Sequence, residues 1–561
     1  MRRPSSDTRC WLLLTIPAEM VLIPMIRALS LAVALATLPA FARPPRLTLV
    51  ISVDALGSDV LLRNRPRLKG GLHQLLNQGA YFPYARYGYA ECRTAPGHAT
   101  LSTGANPWRH GIVDNRWVDR STMKRVMAFA DAAHPVLEVP LKPGQDSGPA
   151  HLMVETLADR LRVTTQERGK AVALSIKPHA AIALAGRAGQ AWWFDKGEGK
   201  FVTGTWYTKE FPAWLKALNA RKLPEASFGK KWELMRPAAE YVGEDEGLAE
   251  ADVYGLGLTF PHPLDGGLPS PGPAFYQAFA LSPDSHDLLV EAAKAAIAGE
   301  GLGQDDVPDL LAVSFSSTDL VFHEYGPYSW EMQDTLLRLD KAMGNLIAAA
   351  ERAAGGRGNL VIALSADHGG AAMPEQWAAK GLAARRVSSK ELAESLTQAL
   401  RQQFGGDVTA TLEQLDVYLG GKTHQGGSVD AAVRRAAAAW LAKHPSVITA
   451  VANDDLFTAP DTEGYLTLMR KSYYPGRSGD VLFMLRPFHM LHYIPTGTSH
   501  GTPHSYDSQV PVVFAGKGVK PGMYLEEIDP VDFAPTLSAL MEMGMPASAE
   551  GKPRAEVLTG K

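Results

Sequence analysis

Residues 47–56 read LTLVISVDAL, an apolar, β-branched run that stops at an acid, Asp54. A strand buried on both faces of a parallel sheet has this form: a nearly continuous hydrophobic stretch, then a polar residue delivered at its carboxyl end. Two later stretches repeat it, PDLLAVSFSSTD (308–319) and NLVIALSADHGG (359–370), each a buried strand followed by small residues and then acids or a histidine. Ligands of open α/β sheets gather beyond the carboxyl ends of the strands, so three acid-tipped strands imply one shared site. VPVVFAG (510–516) reads as a fourth strand of the same core. HDLLVEAAKAAIAG (286–299) and SWEMQDTLLRLDKAMGNLIAAAERAA (329–354) carry helical periodicity between these strands. The alternation predicts an α/β fold, a doubly wound, mostly parallel central sheet with helices on both faces.

Two stretches interrupt that alternation, and both read as insertions capping the site. The core then comprises 43–185, 286–372 and 487–561, with a first cap insertion at 186–285, rich in Trp, Tyr, Gly and Pro, and a second at 373–486. The chain has 561 residues, 46% hydrophobic and 20% charged, which is ample for a large core and excludes the disordered and low-complexity classes. Its 56 Lys and Arg against 59 Asp and Glu give a net charge of -3 with no long basic run, so nucleic acid is not an expected partner. The sequence sets no oligomeric state.

Residues 1–42 read as a targeting signal with an upstream segment. From Met25 the chain runs MIRALSLAVALATLPAFA: Arg27, an apolar stretch from Ala28 to Leu38, then Ala40-Phe41-Ala42, a small-x-small cleavage pattern. The apolar stretch is shorter than the roughly 20 residues a spanning helix needs, so cleavage near Arg43 and a periplasmic or secreted product without a membrane span are expected. Of the two cysteines, only Cys92 would remain in the mature chain, as a packed thiol.

Asp319 and His323, four apart, share one helical face, and Asp367-His368 follows directly on a strand. Asp and neutral His are both good zinc ligands. Either pair alone is more often a cap or a turn; both at strand ends, with Asp54 on a third, point to a metal site that His500, just before the fourth strand, could complete. In RTAPGHATLSTG (93–104), Thr94 sits where a helix N-cap belongs and Pro96 suits the first turn. A hydroxyl there faces the helix dipole's positive end and free N–H groups, which favour both an alkoxide and a bound phosphate.

The blocks VDALGSD, TAPGHATLSTG, HGIVDNRW (110–117), SIKPHAAI (175–182), STDLVFHEYGP, LRLD (337–340), SADHGG and SHGTPHSYDSQVPVVFAG resemble the threonine-nucleophile alkaline phosphatases, relatives of the type I phosphodiesterase/nucleotide pyrophosphatases. The similarity runs from about Leu47 to about Leu540. It implies an alkaline phosphatase-like fold and an exported phosphoric monoester hydrolase acting on small phosphoesters through a phosphothreonine at Thr94. It also implies two zinc ions, one held by Asp54, Thr94, Asp367 and His368 and the other by Asp319, His323 and His500.

The same resemblance places Asn115 and Lys177 on the phosphoryl oxygens, a lysine there favouring monoesters. The family's arginine two residues on is replaced by His179, a group largely neutral above about pH 6.5. Three other readings stay open. A phosphodiesterase or nucleotide pyrophosphatase would use the same metal ligands. A sulfatase is suggested by Cys92, although its C/S-x-P-x-R pattern is not met by Cys92-Arg93-Thr94-Ala95-Pro96. A catalytically inactive zinc-binding surface protein would show a damaged site.

Overall fold

The computed structural model describes residues 43–140, 147–424, 429–492 and 494–559; the stretch read as a targeting signal, 1–42, lies outside them. A nine-stranded sheet organises the chain, its strands being β1 (Leu47–Val53), β2 (Ala80–Arg86), β3 (Ala171–Ser175), β4 (Gln190–Asp195), β5 (Lys200–Val202), β6 (Asp309–Phe315), β7 (Leu360–Ser365), β8 (Gln509–Gly516) and β9 (Gly522–Met523). Their order across the sheet is β9-β2-β8-β7-β1-β6-β3-β4-β5. At its centre β7, β1, β6, β3 and β4 run parallel, in the registers Leu47↔Leu360, Leu47↔Asp309 and Ala173↔Ala191. All seven residues of β1 are buried, as the unbroken apolar run demands. Each of Leu47, Leu49, Ile51 and Val53 contributes about 1.5–3 kcal/mol by leaving water.

Helices lie on both faces. Helix α1 (Thr94–Thr103) packs on α2 (Pro178–Ala185), which rests on β3 and β4. On the other side α3 (Asp284–Glu300), α4 (Ser317–Tyr325) and α5 (Trp330–Ala353) pack together, with helix Gly71–Gln78 against α5. Helix α5 starts where the Ser329 side chain accepts from the Met332 N–H, and it buries a stripe of Met332, Leu336, Leu339, Met343, Leu346 and Ala350 at helical spacing. Helix α3 ends at Gly301, which takes the left-handed conformation that glycine adopts without strain.

The structure supplies the direction of one strand that the sequence left open and departs from expectation at two others. The fourth strand, β8, runs antiparallel to β7, with Val361 opposite Gly516. Its start, not its end, therefore lies at the carboxyl edge of the parallel strands, which carries the preceding loop with His500 to the site. In addition, β4 and β5 belong to the central sheet although they fall within 186–285, the stretch expected to be a cap. Their aromatic composition reflects edge-strand cover: Trp192 is buried, its ring meeting Trp214 edge-on at 5.6 Å.

Within 373–486, strands Thr409–Glu413, Asp416–Gly420, Val481–Leu485 and Val447–Ala452 form a separate sheet in that order. They build a second core with Leu396, Leu400, Val417, Leu441 and Phe483. From Pro44 onward the chain clusters as one compact unit.

Candidate metal centre

Every metal-ligand candidate from the sequence lies at the carboxyl edge of the sheet. Asp54 follows β1 and is turned by Ala55, whose φ is 60°. Ala55 donates its N–H to Asp367 Oδ1 at 3.1 Å, and Thr318 Oγ1 donates to the Asp54 carbonyl at 2.5 Å, so the ends of β1, β6 and β7 are tied together. Asp319 and His323 share a face of α4, with His323 Nε2 at 3.4 Å from Asp319 Oδ1. Asp367 and His368 leave β7 with both side chains fully buried.

The three histidines are oriented alike. His323 Nδ1 lies 2.9 Å from the Thr498 carbonyl, His368 Nδ1 2.8 Å from that of Gly369, and His500 Nδ1 3.0 Å from that of Cys92. A carbonyl only accepts, so each Nδ1 carries the proton and each Nε2 is left as a lone pair, the tautomer in which imidazoles bind metals.

The carboxylates complement them. Asp54 Oδ1, Asp319 Oδ1 and Asp367 Oδ2 are buried without a hydrogen bond among the described residues. Those oxygens face the imidazoles, with His368 Nε2 3.5 Å from Asp54 Oδ1 and 3.4 Å from Asp367 Oδ2, and His500 Nε2 3.8 Å from Asp319 Oδ1. Two groups have ligand atoms close enough to share an ion, Asp54-Asp367-His368 and Asp319-His368-His500, with His368 at the junction. His323 lies at the edge of the second group, half-exposed, its ring 5.2 Å from that of His500. Orphaned buried carboxylate oxygens opposite Nε2 lone pairs fit divalent cations of the zinc type.

Burial pushes the Asp54 carboxyl well above its usual pKa, reinforced by the neighbouring Asp367. Burial acts the same way on Asp319 and Asp367, but there the nearby cations and imidazoles outweigh it and hold both below the ordinary range. Lys177 Nζ sits 2.7 Å from Asp54 Oδ2 and contacts Asp319 Oδ2. Each of these carboxylates is thus divided, Oδ2 toward the ammonium and Oδ1 toward the imidazoles, so Lys177 does not compete for the ligand atoms.

Thr94 opens α1, but the N-cap position expected for it belongs to Arg93, and no side chain caps this helix. The hydroxyl is free of capping and stands 3.4 Å from His368 Nε2. Asn115 Oδ1 accepts the Ala95 N–H at 2.7 Å, so what this carboxamide can offer a ligand is its own N–H pair. His179, in the first turn of α2, is half-buried with its ring 5.8 Å from Phe129. Burial, then Lys177 and His98, lower its pKa to about 4, so the positive charge expected of it below about pH 6.5 is absent until far more acid conditions.

Sequence reasoning passed over several supporting residues. His98 is fully buried, with Nδ1 2.9 Å from the Thr94 carbonyl and 3.2 Å from Asp367 Oδ2, and Nε2 2.9 Å from Ser314 Oγ. Asp507 Oδ2 gathers the N–H groups of Gly501 and Thr502 and the Thr502 hydroxyl, pinning the loop that carries His500. Arg93 is held by Glu91 and Asp114 and donates to Gln414 at the turn between Thr409–Glu413 and Asp416–Gly420, which brings the second insertion onto the segment that carries Thr94. The spacing of His98 from Thr94 on one helical face was the one visible signal among these. The Cys92 thiol is buried against the Tyr89 carbonyl and its pKa is raised by burial, which leaves little thiolate for chemistry.

The family model described as type I phosphodiesterase / nucleotide pyrophosphatase matches residues 48–487. Alkaline phosphatase PafA of Elizabethkingia meningoseptica is 32% identical over 527 residues, covering 92% of this chain and 94% of that protein. The crystal structure of wild-type alkaline phosphatase PafA matches with a TM-score of 0.84 at 30% identity, over 92% of this chain and 99% of that one. A structure of a PafA variant, substituted at a threonine, an asparagine, a lysine and an arginine, matches with a TM-score of 0.83 at 30% identity over the same shares. Those four positions are twenty-one, sixty-two and two residues apart, the intervals that separate Thr94, Asn115, Lys177 and His179.

Proposed function

The chain belongs to the type I phosphodiesterase/nucleotide pyrophosphatase family, as a phosphatase of the alkaline phosphatase kind, and from that premise we propose that it hydrolyses phosphate monoesters through a phosphothreonine at Thr94, outside the cytoplasm, with two zinc ions. The observation that carries the reading is the division of the site: three Nε2 lone pairs meet three orphaned carboxylate oxygens at the helix end that presents Thr94. Asp54, Thr94, Asp367 and His368 would hold one ion and Asp319, His323 and His500 the other. When bound, two such ions supply positive charge to the attacking and the leaving oxygen of an in-line displacement.

The chain's own groups do the rest. The N-terminus of α1 directs the positive end of its dipole at the phosphoryl group, its Ala95 and Gly97 N–H groups being taken by Asn115 and the Arg93 carbonyl. Asn115 offers N–H donors and Lys177 an ammonium to its nonbridging oxygens. As the bond from Thr94 Oγ1 to phosphorus forms, the ester P–O bond breaks and the hydroxyl proton leaves with the alcohol. Water then cleaves the phosphothreonine, releasing phosphate and returning a proton to Thr94. Arg93, clamped by Glu91, Asp114 and Gln414, keeps Thr94 in place, and we assign the second insertion the role of a roof over this edge.

Export is our reading of residues 25–42; no described helix is long and apolar enough to cross a membrane. A diesterase reading gains support from the neutral His179, which withholds one cation from a dianionic substrate. Turnover of p-nitrophenyl phosphate and of its bis ester, with and without added zinc, separates the readings. Faster turnover of the monoester is expected; preference for the bis ester, or no turnover of either, would overturn the proposal.

A further inference from the structure

The arginine missing at position 179 leaves a dianionic substrate with one strong cation, Lys177, among the groups assigned to its oxygens. A second lysine stands at the same edge of the sheet. Strands β3 and β4 run parallel with Ser175 opposite Trp193, so the residues after β4 lie beside those after β3, where Lys177 begins α2. The turn between β4 and β5 is rigid: Asp195 Oδ1 accepts the N–H groups of Gly197 and Glu198, the Asp195 carbonyl accepts that of Gly199, and Gly199 lies against the Tyr276 ring. Lys196 is the first residue of that turn, and it is half-buried where Gly197 and Glu198 are exposed.

Lys200, at the far side of the turn, pairs with Glu138 at 3.5 Å. Lys196 has no hydrogen bond or ion pair among the described residues. The parallel register of β3 and β4 sets the start of this turn beside the segment that carries Lys177, and the charges of Lys177, Asp319 and Asp195 act on the Lys196 ammonium. Burial and then Lys177 lower its pKa from the ordinary lysine value. Lys177 is already paired with Asp54 and Asp319, whereas Lys196, with no ion pair among the described residues, brings an ammonium that a doubly charged anion can engage.

We infer that Lys196, delivered by the β4–β5 turn, is the second cation for the phosphoryl dianion, filling from a neighbouring strand the place that arginine would take at position 179. This rests on the phosphatase reading and adds a specificity residue to it. The neutral His179 ring is turned against Phe129, 5.8 Å between ring centres, and carries no charge that competes with the Lys196 ammonium.

The test compares Lys196→Gln, His179→Arg and the double variant with wild type, taking Lys200→Gln as a control for damage to the turn. In Lys196→Gln, kcat/KM for p-nitrophenyl phosphate should fall roughly ten- to hundredfold, the bis ester should lose less, and inhibition by inorganic phosphate should weaken in step. His179→Arg should restore much of the monoester rate in the Lys196→Gln background, and Lys200→Gln should act as wild type. Equal losses on both esters, no loss at all, or no rescue by the arginine would overturn the inference. If wild type turns over neither ester, the phosphatase reading fails by itself. Lys196 is then judged by the rise in melting temperature that inorganic phosphate gives the zinc-loaded protein, which Lys196→Gln must abolish if the inference holds.

Discussion

Gly97 lies in the first turns of α1, three residues after Thr94, where the helix touches the end of β7. A Cβ placed there would fall 2.1 Å from the Asp367 carbonyl oxygen and 2.8 Å from the Asp367 Cα, both backbone atoms. Ordinary contact needs 3.4 Å or more, so in Gly97→Ala the helix start and the Asp367 backbone must separate by about 1 Å. Overpacking of this kind costs about 1–3 kcal/mol, partly offset by the ~1 kcal/mol that alanine gains over glycine in a helix interior. The net loss of about 0–2 kcal/mol leaves the protein folded. Its chemistry should suffer more, because Thr94 and Asp367 move apart and a 1 Å misplacement costs roughly a hundredfold in rate. The assay is kcat/KM on p-nitrophenyl phosphate together with a thermal melt. A variant with wild-type kcat/KM would refute the claim that this helix-to-strand contact sets the distance from Thr94 to Asp367 on which activity depends.

Thr94→Ala should lose nearly all turnover with an unchanged melting temperature, while Thr94→Ser should keep part of it; near wild-type activity in the alanine variant would remove the phosphothreonine. Chelation should abolish activity and zinc restore it, with two equivalents found by metal analysis of active protein; one equivalent would contradict the paired site. His286 is buried with neither ring nitrogen hydrogen-bonded, and burial, then Arg338, lower its pKa to about 3. A folded-state pKa below the unfolded ~6.5 gives stability that is present above pH 6.5 and lost as pH falls toward 3, about 2 kcal/mol by pH 5. His286→Leu should therefore raise the melting temperature more at pH 5 than at pH 8, and equal shifts at both would refute the assignment.

The parallel centre of the fold was legible because strands buried on both faces leave an unbroken apolar signature, and their acid tips mark the edge where a site must form. Direction was not: VPVVFAG reads the same whether it runs with or against its neighbour, and only pairing with Leu360–Ser365 shows the reversal. Strands β4 and β5 were hidden by the tryptophans of β4 and the aromatic residues around them, which suggested an insertion although they cover the sheet's edge. Among the site residues, pairs close in sequence declared themselves by spacing. His98 showed only its spacing from Thr94, its other partners Ser314 and Asp367 lying far along the chain, and Asp507 gave no signal because a loop carboxylate does not announce which nearby N–H groups it will gather. Lys196 stayed silent for a similar reason: a lysine in a turn is ordinarily solvated, and its placement depends on the neighbouring parallel strand.

The reversal of β8 also bears on when the site comes into being. Asp54 is made near the start of the chain, whereas the loop bearing His500 reaches the sheet's carboxyl edge only when the strand that follows it pairs with β7. A growing chain therefore holds most of the acids without the last imidazole, and a premature stop before residue 500 gives a product that can assemble much of the central sheet yet cannot bring His500 to Asp319 and His368. On the proposed two-ion reading, docking of this late strand is a checkpoint on metal loading, because full affinity for the second ion waits until nearly the whole polypeptide has found its place.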